Sequence, residues 1–464
     1  MPRQLVLALL ALLAAALLAP AAAPASSTQV MTFEAPFELI DDGAREPTLD
    51  EIQSFGVTRV RALIYWQDFT ARPRSRRRPG FDRRDPAAYP AGTWDRLDHL
   101  IDSIQRRGMS VQLTLTGPVP RWATKRRRGH LNSPSAKEYG RWARAVATRY
   151  GDRVDLWSIW NEPNHPSFLK PQYKRGKPAS PRIYRRLYLA GERAIHGVPG
   201  GRGDTVLFGE TAPIGNANVV SPLGFLRGAM CLSKSYKKAR GCGKLRIDGY
   251  AHHAYTRRNG PTFVFDDPDS VSIGSLDRLE TALDKAARAG AIDRDRAIYL
   301  TEFGIQSKPD PIAGVSFTRQ AEYLAISERI AYANPRVAAF SQYLMRDDKP
   351  RRGSRAERYS GFETGLRTSK GKKKRAYNGF ILPLAATRYG SSDVLWGRVR
   401  PARGPTEVTI EQKTRARKRW RRVSVVPTSG VYGFRTDHHR GQRYRAKWTR
   451  PDGSTVTGPP IRAY

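Results

Sequence analysis

The stretch "VDLWSIWNEPNHP", residues 154–166, runs through strand-forming side chains and stops at Asn161-Glu162-Pro163-Asn164. A short apolar run rich in aromatic and β-branched residues, closed by turn formers, reads as a buried strand. It ends on a single carboxylate, so its neighbours decide both the fold and the purpose of that carboxylate.

Upstream, "VTRVRALIYW" (57–66) and "MSVQLTLTG" (109–117) are strand-like, and amphipathic patterns follow at 93–108 and 135–151. In the first of these, Leu97, Leu100, Ile101 and Ile104 recur at helical spacing, and Gly108 stops the run. The second opens on Ser135 with Glu138 three positions on, the pattern of a capping box. Downstream the alternation continues through helix 181–195, strand "TVLFGET" (205–211), strand "IDGYAHHAY" (247–255) and helix 275–290. Strand "AIYLTEFG" (297–304), helix 318–333 and strand "VAAFSQYLM" (337–345) complete it, with a first strand placed near "APFELI" (35–40). Sustained alternation of this kind implies a parallel sheet. About eight units favour a closed (β/α)8 TIM barrel, and no Gly-x-Gly-x-x-Gly fingerprint argues for a dinucleotide fold. From residue 386 the helical period is gone. Short alternating segments between Gly, Pro, Ser and Asp turns predict a C-terminal antiparallel β-sandwich of at most seven strands.

The chain has 464 residues, 39% hydrophobic and 10% aromatic, ample for a large core. Residues 1–25 read as a signal peptide: Arg3, an apolar run, then small residues, with Pro20 and Pro24 breaking the run too early for a membrane span. The expected layout is therefore a leader at 1–25, a barrel at 26–385 and an accessory domain at 386–464. The mature protein is expected to be secreted and monomeric. In an oxidising compartment the two cysteines, Cys231 and Cys242, close a structural loop, and with no nearby histidine they make a poor zinc site. The formal charge is +39, and 386–464 alone holds 18 Lys/Arg against 5 Asp/Glu. Such a field suits solubility, attachment to an anionic cell wall or surface, or a polyanion. Export and the absence of a zinc-finger or RNA-binding signature count against nucleic acid.

All strands of a parallel barrel end at one face, and chemistry gathers there. Glu162 closes one apolar run and Glu302 another; His253 and Tyr255 close "GYAHHAY", and Arg61 lies within "RVRALIYW". Either glutamate alone would be a strand-end ion pair. Two of them, brought together, can divide acid and nucleophile roles. His252 and His253 are adjacent, and strand parity does not choose between them. With Asp266 and Asp267 nearby they could be imagined as metal ligands, but adjacent strand residues point to opposite sides, so no metal is expected.

"WNEPN" followed by "TEFG", its glutamate 140 positions after Glu162, resembles the retaining glycoside hydrolases of clan A, nearest to families 39 and 5, over about residues 35–385. The resemblance implies that Glu162 ends the fourth strand as acid/base and Glu302 ends the seventh as nucleophile, as the strand count also places them. It implies further that Asn161 contacts the sugar 2-hydroxyl, that Tyr255 supports the nucleophile while His253 faces the sugar, and that Arg61 keeps the nucleophile ionised. It implies a carbohydrate substrate and no cofactor. Where the clan offers a sugar-stacking Trp on the eighth strand, this chain offers Tyr343. Trp66, Trp122 and Trp160 stand near the predicted face, either as sugar platforms or as core; the first two start loops, which tilts them toward the ligand. An apolar strand behind Pro163 is expected to raise the pKa of Glu162. Basic runs at 71–84, 121–130, 170–178 and 346–355 fall after predicted strand ends, either as solvated loops of a chain that is arginine-rich throughout or as a rim that favours an anionic glycan. The alternative to catalysis is a non-catalytic glycan- or wall-binding protein on the same barrel.

Overall fold

The computed structural model describes residues 29–464 apart from 403, 416–418 and 440; the leader reading falls outside the described residues. Eight parallel strands close into a barrel: β1 Val30–Glu34, β2 Arg59–Tyr65, β3 Ser110–Thr116, β4 Leu156–Ile159, β5 Thr205–Thr211, β6 Gly249–His252, β7 Ala297–Leu300 and β8 Val337–Tyr343. Each hydrogen-bonds to its sequence neighbours, and β8 closes on β1. A helix follows every strand: α1 Asp42–Ser54, α2 Asp95–Gln105, α3 Ala136–Tyr150, α4 Ser180–His196, α5 Pro222–Ala229, α6 Leu276–Arg288, α7 Phe317–Tyr332 and α8 Arg375–Ile381. Among the described residues no helix is long and apolar enough to cross a membrane.

The first strand corrects the sequence reading. It is "VMTFE", and "PFELI" is a short helix, Pro36–Ile40, with its proline at the first turn. Proline has no N–H to give to a sheet ladder and a φ already suited to a helix start, so the apolar run after it turns rather than extends. The capping box at α3 forms by half. Ser135 accepts from the Glu138 N–H, but the Glu138 carboxylate turns to Arg83, Arg78 and Arg141.

Strand alternation divides the barrel into two environments. On β3, Val111, Leu113 and Leu115 are buried in the main core. Gln112, Thr114 and Thr116 point inward, where they bond Ser158, Glu210 and the Asn161 N–H. Nearer the N-terminal ends, a separate apolar cluster of Leu156, Leu207 and Ala251, with Tyr299 against it, closes the barrel floor. A disulfide joins Cys231 to Cys242 between α5 and β6.

The C-terminal part is a sandwich of antiparallel strands: β9 Leu384–Tyr389, β10 Ser392–Arg398, β11 Thr406–Lys413, β12 Arg421–Thr428, β13 Val431–Asp437, β14 Arg443–Thr449 and β15 Thr455–Thr457. One sheet runs β9-β10-β13 and the other β12-β11-β14-β15. Glu328 of α7 fastens it to the barrel, pairing with Arg398 at 3.2 Å and with buried Arg400. Burial pushes the Arg400 guanidinium down to about 10 even with Glu328 beside it. Removing one partner of a buried pair leaves a charge stranded, at a cost of roughly 3–5 kcal/mol. Glu328→Ala should therefore lower the melting temperature sharply and expose the barrel–sandwich junction to limited proteolysis. A variant that melts and digests like the parent would show that Arg400 needs no counter-ion.

Candidate active site

Arg61 is wholly buried on β2, and its side chain reaches the barrel axis. Each of its five N–H donors has an acceptor. Nε donates to Thr114 Oγ1 (3.2 Å), Nη1 to Glu34 and to Glu302 Oε2 (3.2 Å), and Nη2 to Asn161 Oδ1 (2.7 Å) and Glu210 Oε2 (2.6 Å). Against burial, Glu210, Glu34 and Glu302 hold the guanidinium charged, its pKa well above the usual value. One cation cannot neutralise three buried carboxylates. Glu34 absorbs the excess: burial pushes its carboxyl up to about 8 despite Arg61, with the Glu302 charge adding to the rise. At neutral pH Glu34 keeps its proton.

After β4 the chain turns through two non-glycine residues in the left-handed region, Trp160 (φ 71°) and Glu162 (φ 38°). Such conformations cost on the order of 1–3 kcal/mol each, and local bonds hold them. The Trp160 N–H donates to Leu115 O (2.9 Å), the Asn161 N–H to Thr116 Oγ1 (3.1 Å) and the Glu162 N–H to Glu210 O (3.0 Å). The turn aims Asn161 at Arg61 and Glu162 at His253.

His253 Nδ1 lies 2.9 Å from Glu162 Oε1 and 3.7 Å from Glu302 Oε2. His252 points away, to Thr211 Oγ1 (2.9 Å) and Val271 O (3.1 Å), and burial pushes it down to about 4, leaving it neutral. The adjacent histidines are thus told apart, and His253 is the one in the site. Burial would lower its pKa, but the charges of Glu302 and Glu162 raise it. Reciprocally, burial would raise Glu162, yet the hydrogen bond and charge of His253 carry it below the ordinary value. This corrects the expectation of a raised Glu162: its nearest neighbour is an imidazole, not an apolar wall.

Glu302 accepts from the Tyr255 hydroxyl at 2.8 Å on Oε1 and from Arg61 on Oε2. One ligand atom each of Glu162, His253 and Glu302 lie within 4.8 Å of one another. The same three could hold a metal ion, but His253 Nδ1 is already committed to Glu162, and an ion there would have to displace that contact. Asp266 and Asp267 play no part here; Asp267 accepts from Ser270 in its own loop (2.7 Å). Two carboxylates facing each other, one gripped by a cation and a phenol and the other paired with a histidine, are differentiated in the way that separates an attacking group from a proton carrier.

Trp66 and Trp160 are core, and Trp122 is largely buried but also lines an open pocket with Phe69, Arg72, Arg77 and Phe81. Trp66 begins a 3-10 turn that folds its indole back onto Trp142 of α3, stacked at 5.7 Å and 11°. Trp122 packs edge-on against Trp66 (5.8 Å) under Arg83, and Trp160 is fully buried against Tyr139. Tyr343 stays at the mouth, and Phe362 from the loop after β8 packs edge-on against it at 5.0 Å. Phe362 also lies 6.0 Å from Tyr255 and is 37% exposed. Tyr65 ends β2 on the same side as Arg61, pushed up to about 12 by burial and by Glu34.

Sequence reasoning missed Glu34, Glu210, Tyr65 and Phe362. Glu34 and Glu210 carry the same signal as Glu162, an acid ending an apolar run ("VMTFE", "TVLFGE"). Placing the first strand a few residues late hid Glu34. Phe362 lies in a loop with no periodicity and has no such signal.

No protein-family model matches the chain. By shape it is similar to a family 39 glycoside hydrolase from the gut symbiont Bacteroides cellulosilyticus WH2, with TM-score 0.54 and 14% identity over 89% of this chain and 80% of that one. It is similar to a GH39 beta-xylosidase from Caulobacter crescentus, with TM-score 0.52 and 15% identity over 91% and 98% of the two chains. A GH5_18 structure from Streptomyces cattleya in complex with GlcNAc aligns with TM-score 0.52 and 15% identity over 77% and 79%. The fold is the barrel-plus-sandwich layout of the family 39 structures, and the resemblance to clan A holds at the level of fold.

Glu34 also gives stability a pH dependence. Its ordinary value is 4.5, and the folded chain holds the proton to about 8. The native state therefore binds a proton that the unfolded chain has lost, so this contribution is full below about pH 4.5 and disappears as pH rises through about 8. Glu34→Gln should flatten the fall in melting temperature between pH 5 and 9. An unchanged slope would assign the proton elsewhere.

Proposed function

We propose that the chain is an exported retaining glycosidase that hydrolyses O-glycosidic bonds by double displacement. The observation that carries this reading is the separation of Glu162 and Glu302, oxygen to oxygen within 4.8 Å. Retaining glycosidases hold their carboxyl groups about 5–5.5 Å apart, whereas inverting ones leave about 6.5–9.5 Å for a water. The fold likeness to glycoside hydrolases supports it, and the apolar leader at 1–25 supports export.

In the first step a Glu302 oxygen bonds to the anomeric carbon while the glycosidic C–O bond breaks, and Glu162 gives its proton to the departing oxygen. Arg61 and Tyr255 orient Glu302. Glu162 rests ionised against His253, so the proton it delivers is one the pair shares, drawn from Nδ1 across 2.9 Å. In the second step Glu162 takes a proton from water, which attacks the anomeric carbon and frees Glu302. Asn161, held by Arg61, is placed to meet the sugar beside the reacting carbon. Tyr343 and Phe362 provide the apolar surface on which a pyranose ring rests, the place of the absent eighth-strand tryptophan. A non-catalytic glycan binder would have no need for so fully partnered a pair of glutamates.

A glycan panel with product anomers followed by NMR tests the reading: the first-formed product keeps its configuration. Glu302→Gln should abolish turnover in a folded protein, and Glu162→Gln should cost about 10²–10⁴-fold in kcat on an unactivated substrate. Initial inversion, or turnover unaffected by Glu302→Gln, would overturn the mechanism. kcat/KM should fall on the alkaline side as the Glu162–His253 pair loses its shared proton. Phe362→Ala should cost about tenfold in kcat/KM, with Phe362→Trp restoring it; equal rates for all three proteins would remove Phe362 from the sugar's seat.

A further inference from the structure

We propose that one half of the barrel mouth is a binding surface for an anionic glycan, a carbohydrate chain carrying carboxylate, sulfate or phosphate groups along its length. It rests on the glycosidase reading only in taking the C-terminal mouth as the place where a glycan lies.

The inference stands on how charge is distributed among loops that share one face. The loop after β2 (66–94) carries 7 Lys/Arg against 3 Asp/Glu, that after β3 (117–135) 5 against none, that after β4 (160–179) 4 against 1, and that after β8 (344–374) 11 against 4. The loop after β5 (212–221) has no charged residue, that after β6 (253–275) has 2 against 3, and that after β7 (301–316) has 1 against 2. In the barrel, β8, β1, β2, β3 and β4 are consecutive, and so are β5, β6 and β7. The short loop after β1 (35–41) carries no Lys/Arg against 2 Asp/Glu, so the basic rim is the stretch after β2, β3 and β4 with the long β8 loop on the other side of β1, while the β5–β7 side is close to neutral. An arginine-rich habit of the whole chain would have spread the charge over both.

The part of the rim after β2, β3 and β4 is also one piece of structure. The Arg121 N–H donates to Pro73 O at 2.8 Å, joining the second loop to the third, and the Ser133 N–H donates to Lys170 O at 2.7 Å, joining the third to the fourth. Along the basic rim Arg76, Arg77, Arg126, Arg127, Arg175 and Arg352 are exposed, and no salt bridge among the described residues neutralises them. Arg126 (φ 56°), Arg127 (φ 52°) and Arg175 (φ 51°) sit in the left-handed backbone region, where a side chain is held at a cost. Uncompensated like charges on a connected ridge repel one another, and the surface reaches lower energy when a polyanion lies along it. Attraction of this kind weakens as salt shortens the screening length.

The test titrates the full chain with an oligogalacturonide, a heparin-derived oligosaccharide, a neutral xylo-oligosaccharide and a single-stranded oligonucleotide of similar length, each in low and high salt. Three proteins are compared: the parent, an arc variant (Arg126→Glu, Arg127→Glu, Arg128→Glu) and a sandwich variant with the same change in net charge (Arg421→Glu, Arg422→Glu, Arg443→Glu). The arc variant should bind at least one of the two anionic oligosaccharides about tenfold or more weakly, with a shallower salt dependence. The sandwich variant should stay within about twofold of the parent, and neutral-sugar binding should not change. A response to the heparin-derived chain alone assigns sulfate, and a response to the oligogalacturonide shows that carboxylates suffice. Equal losses in both variants, binding indifferent to salt, or an oligonucleotide held as tightly as the glycans would overturn the proposal. Because binding is read without turnover, an inactive protein whose arc still selects anionic glycans would sink the glycosidase reading and leave this one standing.

Discussion

A single buried guanidinium organises the interior of this barrel. Arg61 draws ligands from β1, β3, β5 and the segments after β4 and β7, so five parts of the chain meet on one planar group. An ammonium could not do this, because only a fork of five donors can serve five acceptors in fixed directions. Such a cluster buys little stability, since desolvation offsets most of the attraction. Its return is positional: the carboxylates are fixed before any ligand arrives. The protonated Glu34 is what makes the cluster tolerable, reducing the uncompensated negative charge beside the one cation.

The barrel was legible because its signals are local and repeated. Period-two runs, amphipathic helices and glycine stops recur, and an error in one unit does not spoil the count. The strand near "APFELI" was such an error, and Pro36 was the clue that should have moved it. Glu162 and Glu302 were legible because each ends an apolar run. Which histidine faces them was not, because that choice follows from the irregular end of β6 after His252 and from bonds to Thr211 and Val271 that no spacing encodes.

The tryptophans show a different limit. Position at a loop start suggested Trp66 and Trp122 as surfaces for a ligand, but an indole offers more apolar area than a mouth needs. Both were claimed by a ring cluster with Tyr139 and Trp142. Sequence reveals which residues have area to bury; it does not reveal which neighbour reaches them first. The ionisation of Glu162 is a similar case, set by a partner 91 positions away rather than by the strand that carries it.

Phe362 sits on a segment pinned by reciprocal bonds with Asp348, whose N–H donates to Phe362 O at 3.0 Å while its Oδ2 accepts from the Phe362 N–H at 2.9 Å. Gly361 leaves the room this requires, since a β-carbon there would come within 2.4 Å of the Asp348 carboxylate. Phe362 is thus clipped to a surface excursion, whereas Tyr343 beside it ends β8 and Arg61 beneath it is carried by β2. A change confined to this excursion would therefore reshape the mouth while leaving the ligands of Arg61 in place.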